Sequence, residues 1–62
     1  MTKDEWLSAC AKRFEEKAEM HEEAAMSAAR ACWDSCLDAA GDEATTFVEY
    51  QPADAADEEM GA

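Results

Sequence analysis

The sequence predicts an all-α fold: an antiparallel helical hairpin that dimerises and carries an acidic C-terminal extension. Three observations predict it. A capping sequence opens the chain, a long run of helix-forming residues follows, and apolar residues recur at steps of three and four. Neither Pro nor Gly interrupts residues 3–40, where Ala, Glu, Lys, Met and Arg predominate.

The two ends of this helical region have clear local signals. Thr2 is followed three residues later by Glu5, which is the spacing of a capping box, and Asp4 adds negative charge to the first turn. We therefore expect the first helix to begin at Lys3. Gly41 stands where a left-handed C-cap belongs, so helix is expected to end at residue 40.

A turn is expected within "EMHEE", residues 19–23, which divides the region into helices 3–19 and 22–40. One continuous helix over 3–40 in a coiled-coil-like oligomer is the alternative, and it would be about 57 Å long. Such a helix buries nothing against itself, whereas burial of an apolar face is what stabilises helices in short chains. The hairpin is therefore the favoured prediction, although the turn lacks Gly or Pro.

The predicted apolar face has few large aliphatic residues. A turn centred near Met20 places Cys10 opposite Cys32 and Trp6 opposite Cys36. The chain has two Leu, one Val and no Ile, so this core is thin, and we expect a homodimer or a partner protein to complete it. The expected hairpin or oligomer core consists of Leu7, Cys10, Phe14, Ala25, Ala28, Cys32 and Cys36.

The C-terminal third has a different composition, so the predicted division is a hairpin over 1–40 and an acidic tail over 41–62. Residues 44–50, "ATTFVEY", favour extended backbone because β-branched and aromatic residues predominate. Pro52 suits the first position of a short helical turn over 53–60, and a solvated acidic tail is the equal alternative.

The formal net charge is −11, and it is unevenly distributed. Residues 1–40 have nine acids and all five bases, whereas residues 41–62 have seven acids and no base. Such a field opposes direct contact with nucleic-acid phosphate or an anionic membrane and favours a protein with a basic surface. No segment has the ~20 apolar residues of a membrane span, and no signal-peptide core follows Met1, so a cytoplasmic location is expected.

The three cysteines, above all the two in "ACWDSC", residues 31–36, are candidates for a redox or metal site. A structural zinc site needs four ligands in paired spacings. Cys32 and Cys36 lie on one helical face and could chelate, but no second pair is present, and Cys10 with His21 completes the set with poor geometry. Cys-x-x-Cys at a helix start, the thioredoxin-like pattern, is absent. Packing in the apolar face is the favoured role, and no cofactor is expected. A disulfide, either between Cys10 and Cys32 or between two copies of the chain, stays an open alternative.

No group of side chains suggests catalysis. His21 has no nucleophile nearby in sequence, and a chain of this size encloses a ligand pocket with difficulty, so an enzyme is not expected. Aromatic residues close a core or anchor an interface, and acidic side chains of the tail suit a basic partner. The candidate partner-binding residues are Trp6, Trp33, Phe47, Tyr50, Asp54, Asp57, Glu58 and Glu59.

The stretches "TKDEWLSACAKRFEEKAEM", "EEAAMSAARAC" and "DAADEEM" resemble those of small acidic helical proteins of bacteriophages and prophages. The likeness covers about three quarters of the chain and rests on Ala and Glu patterns. Where such proteins place a small residue and a Ser or Thr cap between helices, this chain has Glu19 and His21. The resemblance implies an accessory protein that acts by binding in the host cytoplasm.

Three functions are therefore considered. The favoured one is an inhibitor or adaptor that docks on a basic site of a host protein, with an anti-CRISPR protein or a DNA mimic as versions of it. The alternative is a structural module that assembles into a homo-oligomeric bundle. A thiol or metal sensor is the third.

Overall fold

Four α-helices account for most of residues 1–61, the part of the chain that the computed structural model describes. They are α1 (Lys3–Ala18), α2 (Glu22–Ala40), α3 (Glu43–Glu49) and α4 (Pro52–Glu59). No β-strand occurs within the described residues. The helices pack together into a body of 30 × 22 × 15 Å, with a Cα radius of gyration of 10.5 Å.

The predicted hairpin is present, and the continuous helix over 3–40 is wrong. Chain direction reverses over residues 19–21, and α2 packs against α1 with Cys32 in contact with Cys10, as the sequence predicts. Trp6, expected opposite Cys36, lies against Trp33, with ring centroids 5.1 Å apart. The reversal brings two apolar faces together, which one straight helix cannot do.

Side-chain and backbone caps set the helix ends that the sequence predicts. The backbone N–H of Thr2 donates to the Glu5 carboxylate at 2.8 Å, and the backbone N–H of Glu5 donates to the Thr2 hydroxyl at 3.2 Å. Both bonds of the capping box are therefore formed. Gly41 is left-handed, with φ +95°, and its N–H donates to the Leu37 carbonyl at 2.8 Å.

The turn between α1 and α2 uses a residue that is poorly suited to it. Glu19 has φ +54° and ψ +36°, in the left-handed region where glycine is preferred. This single left-handed residue supplies the chain reversal that the sequence places there without a Gly or Pro. A Cβ atom in this conformation costs about 1–2 kcal/mol, which packing of the two helices offsets.

Replacing Glu19 by Gly is expected to raise the free energy of unfolding by about 0.5–1 kcal/mol, since glycine takes a positive φ without that clash. Urea unfolding followed by circular dichroism measures the change. Glu16→Gly is the matched control: Glu16 lies exposed within α1, where the same substitution lowers the free energy of unfolding by about 0.5–1 kcal/mol. Equal losses in both variants would contradict the left-handed turn.

The expected extended segment at 44–50 is wrong, because residues Glu43–Glu49 form α3. Asp42 caps this helix, accepting hydrogen bonds from the Thr45 backbone N–H at 2.8 Å and the Thr45 hydroxyl at 3.0 Å. The Thr46 hydroxyl donates to the Asp42 carbonyl at 2.7 Å and is fully buried. Local capping therefore outweighs the β-propensity of the threonines.

The last segment is helical rather than a solvated acidic tail. Of the two alternatives that the sequence left open here, the helical one is present: Pro52 occupies the first turn of α4 and is buried together with Ala55 and Ala56. These three residues share one helical face, which packs against both α1 and α2. The chain's own C-terminal segment therefore covers the thin hairpin core, and this weakens the reason for which a homodimer was predicted.

Among residues 1–61, the exposed large hydrophobic residues are Met1 and Val48. No helix in this part of the chain is long and apolar enough to cross a membrane.

Candidate functional site

The basic side chains of the folded chain are confined to the first two helices. Four of the five bases lie on α1, and the fifth, Arg30, lies on α2. Neither α3 nor α4 contains a base. One side of α4 packs toward α1 and its bases, and the other side packs toward α2. The charge that is uneven along the sequence is therefore also uneven in space.

The side of α4 that faces α1 is neutralised by a bidentate ion pair. Arg13 Nε donates to Asp57 Oδ1 at 2.7 Å, and Arg13 Nη2 donates to Asp57 Oδ2 at 2.9 Å. These hydrogen bonds from Arg13 lower the pKa of Asp57. Asp57 is a candidate partner-binding residue, but its carboxylate binds Arg13 and so holds α4 against α1.

The side of α4 that faces α2 borders a groove of about 250 Å³, here called the α2–α4 groove. The buried side chains of Cys32, Cys36 and Ala55 form its floor, and the exposed carboxylates of Glu58 and Glu59 form its rim. Neither carboxylate forms a salt bridge with any of residues 1–61. The groove therefore combines an apolar, sulfur-containing floor with two unpaired negative charges.

Other depressions on the described surface differ from this groove in charge. Each contains at least one base, so a carboxylate there already has a positive neighbour within the chain. One is lined by Glu22, Glu23 and Arg30, a second by Lys3, Arg30 and Asp34, and a third by Arg13, Lys17 and Asp57. The α2–α4 groove has carboxylates and no base, so it is the better site for an external cation.

The three thiols form a cluster beneath this groove, and all three are reduced. Cys32 contacts Cys10 across the hairpin and Cys36 one turn along α2. Burial raises the pKa of Cys32 to about 12 and those of Cys10 and Cys36 to about 11, and the Glu59 carboxylate adds to each increase. The thiols are therefore neutral at pH 7, as residues that pack in a core rather than act as nucleophiles.

The acid-rich surface does not assemble a metal centre within the described part of the chain. No group of three or more His, Cys, Asp or Glu side chains among residues 1–61 has an arrangement that holds a metal ion.

Because of this burial, the thiols of the folded protein are expected to react with a thiol reagent at pH 8 far more slowly than those of the urea-unfolded chain. Cys36 should react first, since it is 8% exposed whereas Cys10 is fully buried. Mass spectrometry of the alkylated protein at successive times identifies the order. Rapid reaction of all three thiols in the folded protein would contradict the packing role.

The raised thiol pKa values also predict how stability depends on pH. An unfolded thiol ionises near pH 9.0, whereas the folded thiols keep their protons up to about pH 11 or 12. The resulting stabilisation is complete below pH 9 and is lost as the pH rises toward 11. We expect the melting temperature to fall over this pH range. It should fall less in the triple variant Cys10→Ala, Cys32→Ala, Cys36→Ala, and the decrease that remains in this variant measures the contribution of all other titrating groups.

Trp6 and Trp33, for which the sequence allows a core role, the favoured one, or a partner-binding role, are core residues. Trp6 and Trp33 are 0% and 1% exposed, packed edge to face, and the Trp6 indole N–H donates to the Tyr50 carbonyl at 2.9 Å. Phe47 packs on Trp33, with ring centroids 5.2 Å apart, and is half-buried like Tyr50. The cover provided by α3 and α4 is the reason, since without it both indoles would lie at an open end of the hairpin.

The acidic candidates separate by their position on α4. Asp54 is exposed, Asp57 is paired with Arg13, and Glu58 with Glu59 lies at the α2–α4 groove. The sequence placed all four in one tail. Their separation depends on which side of α4 packs against which helix.

The predicted hairpin core is present, with Ala28 half-buried and the six other residues buried. The sequence interpretation missed the contribution of the last two helices to it. Ala55 and Ala56 lie three and four residues after Pro52, a spacing that signals an amphipathic helix. The buried residues outside the predicted core are Trp6, Ala11, Ala29, Trp33, Thr46, Pro52, Ala55 and Ala56.

Comparisons of this chain with protein-family models, with curated proteins and with solved structures find no match.

Proposed function

We propose that this chain is a small acidic accessory protein of bacteriophage type, which binds a basic surface of a host protein in the bacterial cytoplasm and inhibits or modulates it. An anti-CRISPR protein and a DNA mimic are two versions of this function. It is a binding protein in this proposal, not an enzyme, and it contacts neither nucleic acid nor membrane.

One observation carries the proposal: the carboxylates on the α2 side of α4 are unpaired, while the bases of the chain lie elsewhere. Only Arg13 and Asp57 form a salt bridge among residues 1–61. The carboxylates of Glu58 and Glu59 therefore project a negative field that no base lining the α2–α4 groove cancels. Such a field attracts a basic surface over a Debye length of about 8–10 Å at moderate salt and accelerates encounter with it.

If the host protein uses this basic surface to bind nucleic acid, a bound copy of the chain inhibits that binding. A folded body about 30 Å long with carboxylates on its surface then competes with phosphates for the same Lys and Arg side chains. Since the acidic residues of α4 lie on a packed helix, their backbone is already ordered before binding. The resemblance to small phage proteins supports this interpretation.

The test uses the full chain, immobilised and exposed to a lysate of a candidate host bacterium. We expect captured proteins with basic, nucleic-acid-binding surfaces, released between about 0.05 and 0.5 M salt as exposed charges are screened. Each captured protein is then purified, and its nucleic-acid binding is measured with and without the chain. Captures indifferent to salt, or no loss of nucleic-acid binding, would overturn the proposal.

The predicted homodimer stays a prediction, and sedimentation equilibrium of the purified chain tests it. A large oligomer that buries Val48 would favour the structural assembly module. A monomer that still captures basic proteins would favour the inhibitor.

A further inference from the structure

The α2–α4 groove differs from a small-molecule site in size and from a plain acidic surface in shape. Its volume of about 250 Å³ lies below the ~300–1,000 Å³ of ligand pockets. It is therefore suited to one long side chain rather than to a metabolite. Because the floor is apolar, it suits the aliphatic part of that side chain. Because the rim is anionic, it suits a positively charged end group.

We propose that the α2–α4 groove binds one arginine side chain from an exposed segment of a basic partner protein. This inference rests on the proposed function and names the site and the partner chemistry within it. The methylene stem lies over Cys36 and Ala55, and the guanidinium reaches Glu58 and Glu59.

Two features favour arginine over lysine. A guanidinium is planar, is weakly hydrated and donates two parallel hydrogen bonds to a carboxylate, whereas an ammonium is a compact and strongly hydrated charge. Tyr50 lines the groove and is half-buried, and a tyrosine ring attracts a guanidinium that lies over its face. The groove therefore discriminates between two side chains of equal charge, which a diffuse acidic surface does not.

The negative charge of the groove rim extends its effect to the groove floor. Glu58 raises the pKa of Cys36, and Glu59 raises those of all three thiols. The two carboxylates are thus close enough for their field to reach the groove floor. A cation in that field is stabilised without any rearrangement of the fold.

Fluorescence anisotropy with labelled oligoarginine and oligolysine peptides of equal length, at about 0.15 M salt, tests this inference. We expect oligoarginine to bind at least about fivefold more tightly than oligolysine. A Ser35→Trp variant should remove this preference, since Ser35 lines the groove and is exposed, so that an indole there fills it without changing the charge. Ser27→Trp, an exposed position on the same helix, is the matched control and should retain it.

A second pair of variants separates the groove from total charge. Glu58→Gln with Glu59→Gln should weaken oligoarginine binding about tenfold, whereas Glu15→Gln with Glu16→Gln, the same charge change on the outer face of α1, should weaken it less. Circular dichroism confirms that each variant is folded.

The possible failures are distinguishable. Equal binding of the two peptides, or an unchanged preference in Ser35→Trp, overturns the groove proposal and leaves the acidic surface as the binding determinant. Absence of salt-sensitive binding to either peptide overturns the proposed function as well.

Discussion

A chain that ends at Gly41 is expected to lose cooperative unfolding and most of its helical circular dichroism. This truncation removes α3 and α4, and with them the Tyr50 carbonyl that accepts from the Trp6 indole, the Phe47 ring on Trp33 and the Arg13–Asp57 pair. A chain of 62 residues has a total stability of roughly 3–9 kcal/mol. Exposing even two large core side chains costs about 3–6 kcal/mol, so the isolated hairpin has little stability left.

A pair of substitutions in the full chain tests the same dependence without deletion. Ala56→Glu places a carboxylate at a fully buried position between α4 and the hairpin, and should unfold or undock α4. Ala53→Glu adds the same charge at an exposed position of the same helix and should change little. A 1–41 chain that melts cooperatively as a monomer would contradict this role of α4. Folding of that chain only at high concentration would show that a second copy replaces α4.

Replacement of Trp6 by Ala is expected to lower the free energy of unfolding by about 3–5 kcal/mol, which is comparable with the total stability. Trp6 is 0% exposed, packs edge to face on Trp33 and hydrogen bonds to the Tyr50 carbonyl, so it joins three elements at one point. Urea unfolding followed by circular dichroism and Trp fluorescence measures the loss.

Trp6→Phe separates the ring from the hydrogen bond, because it keeps an aromatic side chain and removes the indole N–H. We expect a smaller loss of about 1–3 kcal/mol. Val48→Ala is the control for a large apolar residue outside the core, since Val48 is 79% exposed, and it should change stability by less than about 0.5 kcal/mol. Similar losses for Trp6→Ala and Val48→Ala would contradict the core position of this indole.

Several parts of the fold follow from residues that are close in sequence. The Thr2–Glu5 capping box and the Gly41 C-cap were predicted correctly, and Pro52 at the start of α4 was one of the two alternatives that the sequence left open. Each signal acts within about one helical turn, so it can be recognised without knowledge of the rest of the chain. The hairpin itself was predicted from the need to bury an apolar face, and the left-handed Glu19 shows that packing outweighed the poor turn residue.

Other features depend on contacts that residue patterns do not reveal. Thr45 and Thr46 favour extended backbone by type, yet they lie in α3, capped by Asp42, with Phe47 packed on Trp33. Propensity for a strand differs from that for a helix by less than a kcal/mol per residue, so a cap and one buried aromatic contact reverse it. The two indoles, candidates for an interface, became core residues for the same reason.

The acidic character and the helical hairpin of this protein can be read from residue order, because charge is a sum over residues and helix caps are local. The division of α4 into a side neutralised by Arg13 and a side with Glu58 and Glu59 free cannot be read in this way. It depends on which neighbour each side of the helix meets, and α1 and α4 are brought together from opposite ends of the chain. Long-range packing alone determines that arrangement, and with it the α2–α4 groove.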